Sequence, residues 1–322
     1  MKLSHRFVLA GFALTFCTAC GDDGRSPESS APPYPVDLLA PEYGIQVQTV
    51  GRIIPPGADE EWCEVVELPG GPGETYFIGR TEIAMAPFSH HLNVSFAPED
   101  SPVLDQVTLG SPIPCTGAHV FGNNLVTFVG ALDNYDSSEL PPGIGHVLRG
   151  GQRLVFDYHA LNTSTAPVPA AHRLNLHRVD HIDRRAQLFG FYNYYIAIPP
   201  HSRRSFVDEC AFNSDVLVWS LARHTHRRGT SFTVRWYGGA RDNEHLWTSA
   251  DWEHDIDFRF DEPVVMPAGT GFSWECAYDN PTDETLIFGV EATDEMCNLF
   301  GQLAAAGDVE SAPPQSCHRF SP

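Results

Sequence analysis

From Tyr43 onward the chain is a succession of short β-type runs broken by glycine and proline, with no long amphipathic helix between them. Runs of this kind bury one face each, so they must pair into sheets and the sheets must stack. The first, Ile45 to Val50, sets Ile45, Val47 and Thr49 against Gln46, Gln48 and Val50. Glu64 to Leu68, Glu74 to Ile78 and Leu92 to Phe96 continue in the same manner, with turn signals about every ten residues. The sequence therefore predicts an all-β chain of β-sandwich, jelly-roll-like domains. The alternation is cleanest late in the chain, where Trp252, His254, Ile256, Phe258 and Phe260 oppose Glu253, Asp255, Asp257, Arg259 and Asp261. The acidic side reads as a solvated sheet face rather than a calcium site, and His254 as a hydrogen-bonded core histidine.

The 322 residues suit two domains of ordinary size. The character of the sequence changes around Arg184-Arg185, and a new β-rich set begins with Gly190 to Pro200. The expected division is a first domain over 43–184 and a second over 185–320. Ahead of them, a basic segment from Lys2 to Arg6 and an apolar run from Phe7 to Phe16 read as an export signal over residues 1–19, since the run is too short to span a bilayer. Thr18-Ala19-Cys20 resembles the cleavage box of bacterial lipoproteins, which makes Cys20 the expected lipid anchor. Residues 20–42, rich in Ser, Pro, Gly and acid, read as a solvated tether. The expected location is outside the cytoplasm: periplasmic, anchored to the outer membrane, or secreted.

Charge narrows the partners. Loss of Lys2 and Arg6 with the signal takes 20 basic residues to 18 against 41 acidic ones. Such a surface repels phosphate backbones, so nucleic acid is excluded as a partner. Lys2 is the sole lysine, so the exported chain has no amine side chain for Schiff-base chemistry. Six cysteines remain beyond the signal region, Cys63, Cys115, Cys210, Cys276, Cys297 and Cys317, with no CxxC pair among them. In an oxidising compartment they predict three disulfides, whose connectivity the spacing alone leaves open.

The residues with chemistry in them are histidines and one methionine. His224 and His226 are two apart at the end of the strand-like run Val216 to Ala222, so their side chains leave one face and can close on one metal ion. Met296 adds a thioether, and thioether with imidazole suits copper cycling between its two oxidation states better than zinc or magnesium. Three protein ligands leave a position open for reaction. In the first half, His90-His91 precedes the run Leu92 to Phe96, and His159 closes Leu154 to Tyr158 with Val155 and Asp157 on its face. Neighbours on a flat strand point opposite ways, so His90 and His91 reach one metal only where the chain bends or different ring nitrogens are used.

Phe88-Ser89-His90-His91, Phe156-Asp157-Tyr158-His159, Arg223-His224-Thr225-His226 and Asp294-Glu295-Met296-Cys297-Asn298-Leu299 follow one another in an order and spacing similar to the copper type II, ascorbate-dependent monooxygenases. That family includes the peptidylglycine alpha-hydroxylating and dopamine beta-monooxygenase enzymes, here with the lipoprotein-type signal of a bacterial member. Leu140-Pro141-Pro142-Gly143-Ile144-Gly145 also looks like the family's run before the third histidine. The resemblance spans roughly residues 43 to 317. It implies two sandwiches, each holding one copper ion, facing across a solvent-filled cleft. His90, His91 and His159 would hold the electron-transfer copper; His224, His226 and Met296 would hold the copper that activates dioxygen against an aliphatic C–H bond. Ascorbate or another one-electron donor would recharge both. The same likeness pairs Cys63 with Cys115, Cys276 with Cys297 and Cys210 with Cys317.

Peptidylglycine enzymes carry an arginine two residues before the first histidine of the His-X-His pair and a tyrosine four after the methionine, both used on a substrate carboxylate. Here Ala222 and Phe300 stand there, so the expected substrate is a small molecule or modified peptide other than a free peptide C-terminus. Asp157 is expected as the acceptor that orients a ligand imidazole. The competing functions are a copper-binding surface lipoprotein without catalysis and an adhesion or carbohydrate-binding module with incidental histidines.

Overall fold

The computed structural model describes residues 36–96, 104, 107–115, 125–252, 258–289 and 293–307. Cys20, Cys317 and His254, with the export segment, lie outside them. The chain is all-β: the described residues form strands joined by turns, with one short 3-10 turn at Gly239–Arg241. The opening strand is Gly44–Gln48, and its alternating burial is the expected sequence pattern made physical.

In the first half a sheet runs in the order Gly44–Gln48, His172–Val179, Thr75–Met85, Ile144–Arg149, Arg184–Arg185, with Tyr135–Glu139 also paired to Thr75–Met85. A second sheet runs Ile113–Pro114, Asp59–Glu67, Arg153–Leu161, Ser89–Phe96, Val126–Ala131. Between them lies a core that includes Ile45, Ile78, Leu92, Val94, Phe156, Tyr158 and Leu176. Each large apolar side chain fully removed from water there contributes about 1.5–3 kcal/mol.

The second half repeats the plan. One sheet is ordered Gln187–Tyr192, Asn298–Ala305, Val216–His224, Phe258–Met266, and the other Ser202–Ala211, Gly271–Asn280, Gly229–Tyr237, His245–Ser249. Phe189, Leu221, Phe232, Phe272, Trp274 and Leu299 fill the space between them. The chain crosses from one half to the other just after Arg184–Arg185, which pairs in parallel with Ile144–Gly145. Leu140 and Ile144 then pack with Ala186, Trp219 and Ala304 in a small apolar cluster that joins the halves.

Two of the expected disulfides are present, Cys63–Cys115 and Cys276–Cys297. Cys210 is disulfide-bonded as well. No helix among the described residues is long and apolar enough to cross a membrane.

Candidate metal centre

The strands Ser89–Phe96 and Arg153–Leu161 place His91 directly across from His159. Both face away from the first core, because Leu92, Phe156 and Tyr158 point into it. On a flat strand His90 would point inward with them. The pairing shifts register there instead: His159 faces His91, and Ala160 already faces Ser89, so His90 is the extra residue of a β-bulge. Phe88, two residues ahead of His90, takes a positive φ of 72° where the chain enters the bulge. His90 and His91 thereby reach the same side, their Nδ1 atoms 3.2 Å apart. Each of His90, His91 and His159 offers a nitrogen within 4.8 Å of the others.

What holds the third ring differs from expectation. The Nε2 of His159 meets the carboxylate of Asp59, leaving Nδ1 for a metal. Asp157 shares the outer face but lies beside the Cys63–Cys115 disulfide. Burial first, and then the neighbouring Glu61 carboxyl, push its pKa up to about 8. Asp157 is hydrogen-bonded to Glu61 instead, and Asp59 has the role the sequence suggested for Asp157.

Behind the bulge sits His172, fully buried. Its two nitrogens face the hydroxyls of Thr49 at 3.5 Å and Ser89 at 3.3 Å, and Tyr158 packs on its ring at 4.4 Å. Burial lowers its pKa to about 3, so it is a neutral strut tying the residue before His90 to the far sheet.

In the second half, the strand Val216–His224 ends on His224, and His226 lies in the turn that follows. Strand alternation accounts for His224 only. His226 is placed by two groups from the Met296 segment. The buried Glu295 carboxylate accepts the backbone N–H of His226 at 3.1 Å and of Arg228 at 2.8 Å. The carbonyl of Asp294 lies 2.9 Å from Nδ1 of the His226 ring, which fixes the tautomer and leaves Nε2 free. The two rings come to 5.2 Å, nearly perpendicular.

Met296 lies two residues ahead of the neighbouring strand Asn298–Ala305. Asn298 lies directly across from His224, and its amide donates to the Met296 sulfur at 3.3 Å. The thioether is thereby tied to the residue paired with His224 across the sheet. The Met296 carbonyl accepts the Tyr278 hydroxyl at 2.5 Å, and Cys297 is bonded to Cys276. Arg223, on the opposite face, is buried and donates to Ser249 at 3.1 Å.

Burial lowers the pKa of all four imidazoles His90, His91, His224 and His226, reaching about 3 for His91 and His224. Charges of the opposite set add to the effect: His226 acts on His90, and His224 and His226 act on His91. The two sets thus lie within electrostatic reach of each other, and at neutral pH these four rings offer uncharged nitrogens.

Residues 187–306 match the family model of the copper type II ascorbate-dependent monooxygenase, C-terminal domain. The match covers the segments that carry His224, His226 and Met296. No curated protein matches the chain. Among solved structures, the major capsid protein P2 of bacteriophage PM2 aligns over 84% of this chain and 100% of its own at 8% identity and a TM-score of 0.37. PNGase F, a glycosylasparaginase from Flavobacterium meningosepticum, aligns over 87% and 100% at 8% identity and a TM-score of 0.36. Likenesses at that level carry no functional weight.

Sequence reasoning missed Asp59, Glu295, Ser89 and His172. Of these, Ser89 and Glu295 had a local signal, standing immediately before His90 and Met296.

Proposed function

We propose that this chain is an exported copper monooxygenase that hydroxylates an aliphatic C–H bond, using dioxygen and an ascorbate-like one-electron donor. The observation that carries the reading is the pair of ligand sets: three clustered imidazoles in one, and in the other two imidazoles with a thioether tied to the residue across from His224. Such donors fit copper. Closed, anionic thiolate or carboxylate sets of the kind that suit zinc or calcium are lacking at both places among the described residues. On this reading His90, His91 and His159 hold one ion, and His224, His226 and Met296 the other, in two consecutive sandwich domains.

Copper bound there supplies one-electron storage at the first set and dioxygen activation at the second. The chain's own residues do the rest. Asp59 and the Asp294 carbonyl fix ring orientation by taking one ring nitrogen of His159 and of His226, leaving the other for a metal. Glu295 holds the turn that carries His226, and the Cys276–Cys297 bond holds the segment that carries Met296. The disulfides support a location in an oxidising compartment.

Oxygen consumption tests the reading. Protein loaded with copper and freed of unbound metal is expected to consume dioxygen when ascorbate is added, and Met296→Ala should abolish this while the three-imidazole set still binds copper. Copper binding without oxygen consumption would favour a metal-buffering protein.

A further inference from the structure

Strand pairing sets Tyr192, Asn298 and His224 in one row across the second-half sheet, with Gly190, Phe300 and Ala222 in the next row on the same face. Neither row contains a charged residue, in a chain whose formal net charge is -21. From His224 outward the rings form an unbroken series. Phe300 lies 6.4 Å from the imidazole, and Tyr192 meets Phe300 nearly edge-on at 5.4 Å. Tyr194 stacks on Tyr192 at 5.8 Å with planes 13° apart, and Phe288 closes on Tyr194 at 4.8 Å.

This series is built rather than accidental. A Cβ at Gly190 would come 2.9 Å from the Tyr192 hydroxyl and 3.0 Å from two atoms of the Phe300 ring, so glycine is what lets both rings lie over the strand. The buried Asn193 fastens the turn beyond. Its side-chain amide donates to Asp208 at 2.6 Å, its side-chain oxygen accepts the Tyr195 N–H at 2.8 Å, and its own N–H donates to the Cys297 carbonyl at 3.2 Å. That anchorage holds Tyr194 outward at 56% exposure, whereas Phe212, Trp236, Phe272 and Trp274 in the same half are buried. Exposed apolar rings continuous with a reactive centre mark a binding surface.

We propose that the Phe300–Tyr192–Tyr194 series binds a small molecule that carries an aromatic ring and no carboxylate; that this molecule is the substrate rests on the monooxygenase reading above. Rings pack on rings edge-on or offset, as these already do with each other. An acid group would lose its water against an uncharged wall, within the field of a strongly negative chain.

Calorimetric titration of the full chain with 4-ethylphenol, 2-cyclohexylethanol and 3-phenylpropionate tests this. The expected result is tightest binding of 4-ethylphenol, with Tyr194→Ala and Phe300→Leu each raising its Kd about three- to tenfold. Equal or tighter binding of 3-phenylpropionate, no binding of 4-ethylphenol, or a Kd unmoved in both variants overturns the inference. Copper content measured on the same samples separates the two ideas. Ring binding by a chain that takes up no copper would sink the monooxygenase reading and leave this one standing; copper uptake with oxygen consumption but no ring selectivity would do the reverse.

Discussion

Acid should destabilise the metal-free protein through His172. The ring is 0% exposed, and burial lowers its pKa from 6.5 to about 3. Above pH 6.5 both folded and unfolded states hold it neutral, and its contribution to stability is fully present. As pH falls below 6.5 the unfolded chain takes up a proton that the folded chain refuses, so stability is lost until the folded ring itself protonates near pH 3. The slope for one such group is about 1.4 kcal/mol per pH unit, and the loss between pH 6.5 and 4.5 is about 3 kcal/mol. That is a large part of the roughly 5–15 kcal/mol that folds an ordinary domain. Other groups titrate over the same range, Asp157 and Glu295 in the opposite direction because burial raises them to about 8 and about 7. A comparison with His172→Gln removes their effect. Urea unfolding of the chelator-treated protein at pH 7 and pH 4.5 should show the wild type losing about 3 kcal/mol more than the variant. Equal losses would refute a buried neutral imidazole at this position.

Replacing Cys297 by Ser opens a bridge of sequence separation 21, which the loop-entropy model values at about 3 kcal/mol. Beyond that loss, copper should bind more weakly at the Met296 set and unchanged at the His90 set, and a calorimetric titration showing both affinities unaltered would contradict the coupling. Glu295→Gln keeps the shape of the side chain but can accept only one of the two N–H groups at His226 and Arg228. The expected cost is about 1–3 kcal/mol in urea unfolding at an unchanged m-value, and an unshifted midpoint would show that the clamp is not needed.

The architecture can be read from the sequence because alternation is enforced wherever one sheet face is buried: Ile45 and Val47 have no other way to leave water. The site is harder to read. Alternation delivers His91, His159 and His224, since each stands on a regular strand. It gives the wrong side for His90, whose direction depends on a bulge entered after Phe88 and on pairing to a strand some seventy residues away. It does not reach His226, which lies past the strand end and depends on Glu295, distant in sequence. Asp157 looks like the partner of His159 because it shares its face, but Asp59, at the start of the paired strand, comes within reach only once the sheet register is known. Local pattern names the face of a strand; bulges and cross-strand partners need the folded sheet.

Copper content of the purified protein, measured with and without His224→Ala, bears most directly on the claim that nitrogen and sulfur donors form two separate metal sites. Two ions per chain are expected, falling to one in the variant. A wild type that retains no copper, or a variant that still holds two, would contradict it.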